Sequence, residues 1–227
     1  FSWPSLTEID RYKLNVENEL LNLNFDDESI NGALCLTLEH YWMHAETLIY
    51  MIHQLAHHLK NPVPYRRVTA ATVDDYGARL EIPAGSATLG ADRRQAEFGW
   101  CNEFEEHQVH VPRFLIDKYK VTNRAFLEFV ESNGYERQQL WDTESWQWLK
   151  TTGHRHPQFW FKQDGQWCYR DLFEDIPLLL DWPVYITHAE ATAYAHSKVA
   201  ELPSEEEFHR AAYGTIRQND APQPWGH

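Results

Sequence analysis

The sequence predicts an α+β protein in which a helical segment, residues 1 to about 62, precedes a region of short strands and short helices. In the helical segment, apolar residues recur every three or four positions, which is the spacing of an amphipathic helix. Pro62 and Pro64 then interrupt it, because proline lacks the backbone N–H that a helix interior requires. Beyond about residue 65, short β-like runs alternate with turns rich in Gly, Pro and Asp, which is typical of a mixed domain.

Two helices are predicted in the first segment. The face of the first helix is formed by apolar residues at helical spacing, Leu6, Ile9, Tyr12, Val16 and Leu20. A polar break is expected over residues 25–32, followed by a second helix from about Ala33 to His58. Two antiparallel helices cannot enclose a core alone, so we expect a partial bundle whose other helices lie upstream of Phe1.

The second segment, residues 63–227, is predicted to contain short strands and three short helices. Strands are expected at residues 79–83, 109–111, 114–117, 159–161 and 167–169. One helix is expected to begin near Thr122. The other two open at 187–190 and 204–207, where a hydroxyl residue is followed three positions later by glutamate. This pattern is the capping box, which satisfies free backbone amides at the start of a helix.

The composition limits the partners that this chain can have. With 34 acidic against 20 basic residues, the chain of 227 residues carries a formal net charge of −14. Nucleic acid and anionic membrane surfaces select clustered Lys and Arg, so neither is an expected partner. No apolar stretch is long enough to span a bilayer, and no signal-peptide pattern opens the chain. Three separated cysteines without a CxxC pair indicate a reducing, cytoplasmic location.

A HxxxHxE pattern on the second predicted helix is the strongest candidate for a functional site. His40 and His44 are four residues apart, so their imidazoles lie on one helix face and can approach a common metal ion. Neutral imidazole is a good ligand for iron, zinc, copper or nickel. Glu46 lies on a different face and suits an orienting role better than direct ligation. The alternative is that both histidines are polar residues of a half-buried helix, hydrogen-bonded to neighbours.

Several segments of the second region resemble the formylglycine-generating-enzyme/sulfatase-modifying-factor domain, a variant of the C-type-lectin fold. The resembling segments are residues 82–90, 114–123, 181–184, 202–212 and 224–226. Within that superfamily, residues 98–103 and 156–160 are similar to the iron-dependent sulfoxide synthases of ergothioneine biosynthesis. That branch carries a DinB-like helical bundle ahead of the lectin-type domain. Two of its iron ligands come from a helical HxxxHxE, which His40, His44 and Glu46 reproduce.

The resemblance implies an enzyme with a mononuclear non-haem iron(II) cofactor, for which His40 and His44 would be ligands. Its substrates would be O2, hercynine (trimethylhistidine) and a thiol, either cysteine or γ-glutamylcysteine, and its product a sulfoxide with a new carbon–sulfur bond. Residues 1–62 would form a partial DinB-like bundle, and residues 63–227 an incomplete lectin-type domain. The family's catalytic tyrosine lies beyond His227, so no catalytic residue is assigned in this chain.

We expect the chain to be truncated at both ends, because it starts without Met and ends abruptly, and the remainder of its own chain is then an expected partner. The family's first iron ligand is a histidine on an upstream helix, which no residue here matches. Two imidazoles alone hold iron weakly, so the 227-residue polypeptide is expected to be inactive by itself.

Other functions stay open at this point. A lectin-type binding module or pseudoenzyme would lack the iron chemistry, and ovothiol- or selenoneine-type synthases would use other substrates. A formylglycine-generating enzyme is less favoured, because that branch binds copper through a cysteine pair late in its domain. None of Cys35, Cys101 and Cys168 stands in a matching context.

Two further sets of residues have a structural and a functional interpretation. Tryptophans in the middle of the second region could form a cage around a quaternary ammonium, but most are better explained as core residues of a loop-rich domain. The set comprises Trp141, Trp146, Trp148, Trp160, Trp167 and Trp182. His53, His57 and His58 lie too far along the helix from His44 to share its metal ion, and we interpret them as surface or junction residues.

Overall fold

The computed structural model describes residues 3–23, 28–64, 75, 77–96 and 98–214. The chain divides into two compact units, one of residues 1–49 and 90–105 and the other of residues 50–89 and 106–227. The helices are α1 Leu6–Leu20, α2 Glu28–Gln54, α3 Asn123–Glu131, α4 Thr143–Thr152, α5 His188–Ser197 and α6 Glu205–Ala212. The strands are β1 Arg79–Ile82, β2 Gly85–Leu89, β3 His107–Val111, β4 Phe114–Asp117, β5 Trp160–Gln163, β6 Gln166–Arg170 and β7 Asp175–Pro177. This mixture of helices and small sheets confirms the predicted α+β class.

Both predicted N-terminal helices are present, although the ends of α2 differ from the prediction. α1 has the predicted bounds, and Ser5 and Glu8 form a capping box at its start, with the Glu8 N–H donating to Ser5 Oγ at 3.3 Å. α2 begins at Glu28 and ends at Gln54, so the predicted polar break over 25–32 is wrong from residue 28 onward. Polar residues do not end a helix by themselves, and a glycine within a helix lowers helix stability by only about 1 kcal/mol relative to alanine.

Much of the apolar surface of α1 and α2 is exposed to solvent. No residue of α1 is buried, and the exposed apolar side chains of α2 are Leu36, Leu38, Tyr41, Trp42, Met43, Leu48, Ile49, Tyr50, Met51 and Ile52. Bundle helices bury such faces against neighbouring helices, so the DinB-like bundle stays a prediction. Within the described parts of the chain, no helix combines the length and apolarity needed to cross a membrane.

Three small antiparallel sheets lie in the second unit. β1 pairs with β4, β2 pairs with β3, and β6 lies between β5 and β7. Five of these strands coincide with or overlap predicted ones, whereas β2 and β7 were not predicted. β2 reads Gly-Ser-Ala-Thr-Leu, which has more turn formers than β formers, and β7 is short and ends in proline. The resembling segment 224–226 lies outside the described residues.

Helices α3 to α6 begin at side-chain caps, and the sequence predicted two of these caps, on α5 and α6. Thr122 Oγ1 accepts the Ala125 N–H at the start of α3, and capping boxes open α5 and α6 at 187–190 and 204–207. α4 was not predicted. Leu149 is the only buried residue among its ten, so the helix lacks a marked apolar period.

Two of the segments that carry the family resemblance contact each other at the start of α3. The Asn123 N–H donates to the Trp182 carbonyl at 2.8 Å, and the Asn123 side chain donates to the Leu179 carbonyl at 2.8 Å. Arg124 forms an ion pair with Asp181 at 3.0 Å. The Asn123 N–H bond joins residues 114–123 to residues 181–184, and the other two contacts involve their neighbours Leu179 and Arg124.

Two other resembling segments meet where α6 packs on β2. Arg210 of α6 is buried, and its Nε donates to the Pro83 carbonyl at 3.3 Å. A Cβ atom on Gly85 would come within 2.7 Å of the Arg210 guanidinium. A larger residue at position 85 would therefore require the Arg210 side chain to shift, because its guanidinium occupies the space beside Gly85.

The core of the second unit is aromatic. Phe126 and Trp160 are almost fully buried, and their rings meet edge to face with centroids 6.1 Å apart. Trp141 is buried in the same cluster, while Trp146 and Trp167 pack against it. The core interpretation of the tryptophans is confirmed for these four. Aromatic rings bury large apolar areas, which suits a domain with little regular secondary structure.

A buried hydrogen bond ties this core to α5. The Tyr135 hydroxyl donates to Glu190 Oε1, and Glu190 Oε2 accepts the Thr187 N–H at 2.8 Å and the Thr187 hydroxyl at 2.9 Å. Burial, and then the Glu190 charge, raise the pKa of Tyr135 far above its ordinary value, so its hydroxyl stays a donor. Glu190 thus caps α5 with one oxygen and holds the core with the other.

We expect Tyr135→Phe to lower the free energy of unfolding by about 1–3 kcal/mol, because the buried Glu190 carboxylate loses a donor. Tyr119→Phe is the matched control, since Tyr119 is exposed and its change should stay within about 0.5 kcal/mol. Urea unfolding of the full chain, followed by tryptophan fluorescence, measures both. Equal midpoints for the two variants would contradict a structural role for the Tyr135 hydroxyl.

We expect Gly85→Ala to destabilise the protein by roughly 1–3 kcal/mol, because the new methyl group must displace the buried Arg210 guanidinium. Gly77→Ala is the control, as its nearest neighbouring atom lies 3.9 Å from the added Cβ. Thermal unfolding of both variants would show the difference. A Gly85→Ala protein as stable as the Gly77→Ala protein would mean that Arg210 moves aside without cost.

Candidate metal centre

His40 and His44 lie on one face of α2, as their spacing predicted. Their ring centroids are 4.5 Å apart and the ring planes meet edge to face at 62°. Both side chains are exposed, so their ring nitrogens are accessible to a ligand. The regular i, i+4 geometry of an uninterrupted helix brings the two rings together. No tertiary contact is needed for this arrangement.

The chemistry of this pair suits a divalent transition metal, because two neutral imidazoles offer nitrogen lone pairs from a rigid backbone. Among the residues that the structure describes, no three His, Cys, Asp or Glu side chains gather closely enough to hold a metal ion. Within the described residues, a metal ion bound by this pair would therefore have two nitrogen donors. Glu46 is exposed on the same helix, and its orienting role stays a prediction.

A second histidine cluster lies at the end of α2, in the second unit. His53 Nε2 donates to the Arg170 carbonyl at 2.8 Å, and His57 Nε2 donates to the Asp171 carbonyl at 3.0 Å. Lys60 Nζ donates to the Leu172 carbonyl at 2.7 Å. Three side chains thus bind three consecutive carbonyls, which begin at the last residue of β6, and residues 53–60 are fixed to that segment.

The interpretation of these three histidines as surface or junction residues is correct: His58 is exposed, whereas His53 and His57 form a junction with the carbonyls of Arg170 and Asp171. His53 is half-buried and stacks on Phe159, with centroids 3.9 Å apart and an interplanar angle of 14°. Phe159 in turn stacks on Tyr185 at 5.7 Å. Sequence reasoning did not single out His53, His57 and Lys60 as a set. The sequence carries no local signal for this set, because α2 ends at Gln54 and the backbone of Ala56 is extended, so the three side chains do not lie on one continuous helix.

The burial of this cluster changes its proton affinities. Desolvation lowers the pKa of His53 from its ordinary value, although its hydrogen bond to the Arg170 carbonyl acts in the opposite direction. Burial also lowers the pKa of Lys60, and the neighbouring Arg170 charge adds to that effect. The neutral form of His53 is therefore the form that the folded protein favours.

Comparison with known proteins places residues 65–226 in a family. They match the sulfatase-modifying factor enzyme 1-like domain. The hercynine oxygenase of Mycolicibacterium smegmatis is 34% identical over 152 residues, which cover 66% of this chain and 35% of that protein. The formylglycine-generating enzyme of Thermomonospora curvata is 29% identical over 163 residues, covering 65% of this chain and 52% of that protein.

A longer alignment takes in the helical segment as well. Ergothioneine biosynthesis protein 1 of Neurospora crassa is 26% identical over 236 aligned positions, which cover 90% of this chain and 27% of that protein. The predicted similarity to proteins of ergothioneine biosynthesis is confirmed. The chain spans about a third of the length of the hercynine oxygenases that it matches.

We expect the stability of the protein to fall as pH decreases below about 6.5, the ordinary histidine pKa, because folding disfavours protonation of His53. The stability that depends on neutral His53 should be fully present above about pH 6.5. It should be lost as the pH falls from there through the lowered pKa of His53 in the folded protein. In His53→Gln, which keeps an N–H donor, the urea midpoint should change less between about pH 7 and pH 5. His58→Gln is the control, because His58 is exposed. Identical pH profiles for both variants would contradict the assignment.

Proposed function

Because residues 65–226 make this chain a member of the sulfatase-modifying factor enzyme 1-like family, we propose that it belongs to a non-haem iron(II), O2-dependent sulfoxide synthase. The proposed reaction joins a thiol, cysteine or γ-glutamylcysteine, to the imidazole of hercynine during ergothioneine biosynthesis. The similarity to hercynine oxygenases supports this choice of substrate. The predicted division near residue 62, between a DinB-like bundle and the family domain, and a cytoplasmic location are parts of the same proposal.

The observation that carries the proposal is the His40–His44 pair on a helix that precedes the family domain. The alignment with ergothioneine biosynthesis protein 1 covers nine tenths of the chain and so extends into the helical segment. A pair of imidazoles four residues apart on an exposed helix face is the arrangement that a bidentate metal site requires. Packing does not explain the His40–His44 pair, because both rings are exposed to solvent.

In this proposal the chain's own residues hold and orient the metal. His40 and His44 would each donate one ring nitrogen, and the backbone of α2 keeps the two rings in register. Glu46 would fix the tautomer of an imidazole by accepting its second N–H, as carboxylates often do for metal-bound histidine. When bound, iron(II) would supply activation of O2 and a position for the thiol sulfur.

We expect His40→Ala and His44→Ala each to weaken metal binding by about tenfold or more, because one of two chelating imidazoles is lost. Nickel(II) is the first probe, as it binds nitrogen ligands more tightly than iron(II) does, and anaerobic iron(II) is the second. Isothermal titration of the 227-residue chain gives the affinity without requiring turnover. His58→Ala is the matched control, because His58 is exposed and outside the pair.

Equal affinities for the His40→Ala, His44→Ala and His58→Ala proteins would overturn the ligand assignment. The fold of each variant is checked by circular dichroism, since all three side chains are exposed and their removal should leave the helix intact. Sulfoxide formation is then followed by mass spectrometry after adding hercynine, a thiol and air to the iron-loaded protein. Metal binding is the primary readout, because it does not require turnover.

A further inference from the structure

The His40–His44 pair lies on a face of α2 that carries no charged side chain. On a helix surface, the neighbours of a residue stand three or four positions away from it. Glu39 and Glu46 are one and two residues from the nearer histidine, which places them on other faces. The neighbours of the pair, which with it form the histidine face, are Leu36, Thr37, Tyr41, Met43, Thr47 and Leu48. All of them are exposed to solvent.

The two threonines of the histidine face do not need solvent as a hydrogen-bond partner. Thr37 Oγ1 donates to the Ala33 carbonyl at 2.8 Å, and Thr47 Oγ1 donates to the Met43 carbonyl at 2.9 Å. A hydroxyl that is already hydrogen-bonded can be covered by another surface at a lower cost than an unpaired one. The other neighbours of the pair are apolar or aromatic. The histidine face is therefore suited to contact with another protein surface, provided that the imidazole nitrogens also find partners.

A metal ion that bridges two copies of the chain would give these nitrogens their partners. Zinc(II) takes four ligands in its structural sites, whereas the rings of His40 and His44, 4.5 Å apart, offer two donors. Within the part of the chain that the structure describes, no third His, Cys, Asp or Glu completes a metal-binding group. A two-fold axis places the same patch of two copies against itself. The second copy thus supplies the two nitrogens that one copy lacks.

We propose that two copies of the 227-residue chain associate through their histidine faces and bind one zinc(II) ion between them, with His40 and His44 of each copy as its four ligands. Leu36, Met43 and Leu48 of one copy would contact the histidine face of the other. The proposal goes beyond the proposed function, with which it shares only the assignment of His40 and His44 as metal ligands.

Association should depend on the metal ion. A stable protein interface uses roughly 20–30 residues on each side, and the histidine face offers far fewer. The net charge of −14 on each chain also opposes association. A zinc ion supplies bonds to both copies and a positive charge at the contact. The chain should therefore be a monomer without zinc and a dimer with it.

The test measures the molar mass of the 227-residue chain by light scattering after size-exclusion chromatography. With a chelator present, the chain should elute as a monomer. Half an equivalent of zinc should convert it to a dimer, excess chelator should reverse the change, and titration calorimetry should give one zinc per two chains. His40→Ala and His44→Ala should each abolish the dimer. His58→Ala should keep it, because His58 is exposed and lies outside the histidine face.

Two leucines of α2 provide matched variants for the contact surface. Leu48 is 54% exposed on the histidine face, and Leu38 is 58% exposed on another face of the same helix. In the presence of zinc, Leu48→Lys should raise the dissociation constant of the dimer at least about tenfold, because the contact would cover an unpaired charge. Leu38→Lys should leave that constant unchanged. Equal dissociation constants for the two variants would overturn the proposed contact surface.

The stoichiometry separates this proposal from the ligand assignment on which the proposed function depends. One zinc per chain without a change in molar mass would overturn the dimer and leave His40 and His44 as ligands. The absence of zinc binding would overturn both. A dimer that persists in chelator, or one that zinc still induces when both histidines are replaced by alanine, would overturn the shared zinc site.

Discussion

The hydrogen bond from the buried Tyr135 hydroxyl to Glu190 is the interaction on which the second unit depends. A buried carboxylate is costly unless its oxygens are satisfied, and here one oxygen caps α5 through Thr187 while the other holds the aromatic core. The capping pattern at 187–190 is therefore more than a local helix signal. It fixes α5 against the residues that follow α3, and the packing of Phe126, Trp160 and their neighbours is arranged around that contact.

The segments that resemble the enzyme family owe their character to contacts with one another. The start of α3 is bonded to residues 179–182, and the Arg210 guanidinium of α6 occupies the space beside Gly85 of β2. Neither segment by itself explains its own sequence. The His40–His44 pair has a different origin, because helix geometry alone brings the rings together. A histidine pair of this kind can be recognised in a sequence before any tertiary structure is known.

Predictions from sequence succeeded where a local physical rule decides the structure. α1, the start of α3, the caps of α5 and α6, and five of the seven strands follow from apolar spacing and capping chemistry. They failed where a weak local signal was overridden by packing. β2 has turn-forming residues but pairs with β3 and lies under α6, and α4 has a single buried residue to mark its period. The start of α2 was misplaced because polarity was taken as a break, although a helix tolerates polar residues.

The sequence alone determined the α+β class, the helical HxxxHxE with His40 and His44 on one face, and the resemblance to ergothioneine-related enzymes. Each of these depends on residues close together in the chain, where spacing and side-chain chemistry are sufficient. Tertiary structure decided the carbonyl contacts of residues 53–60, the burial of Glu190 against Tyr135, and the pairing of β1 with β4. These features join residues that are far apart in the chain. Whether such residues meet depends on the packing of the whole unit, which local patterns do not encode.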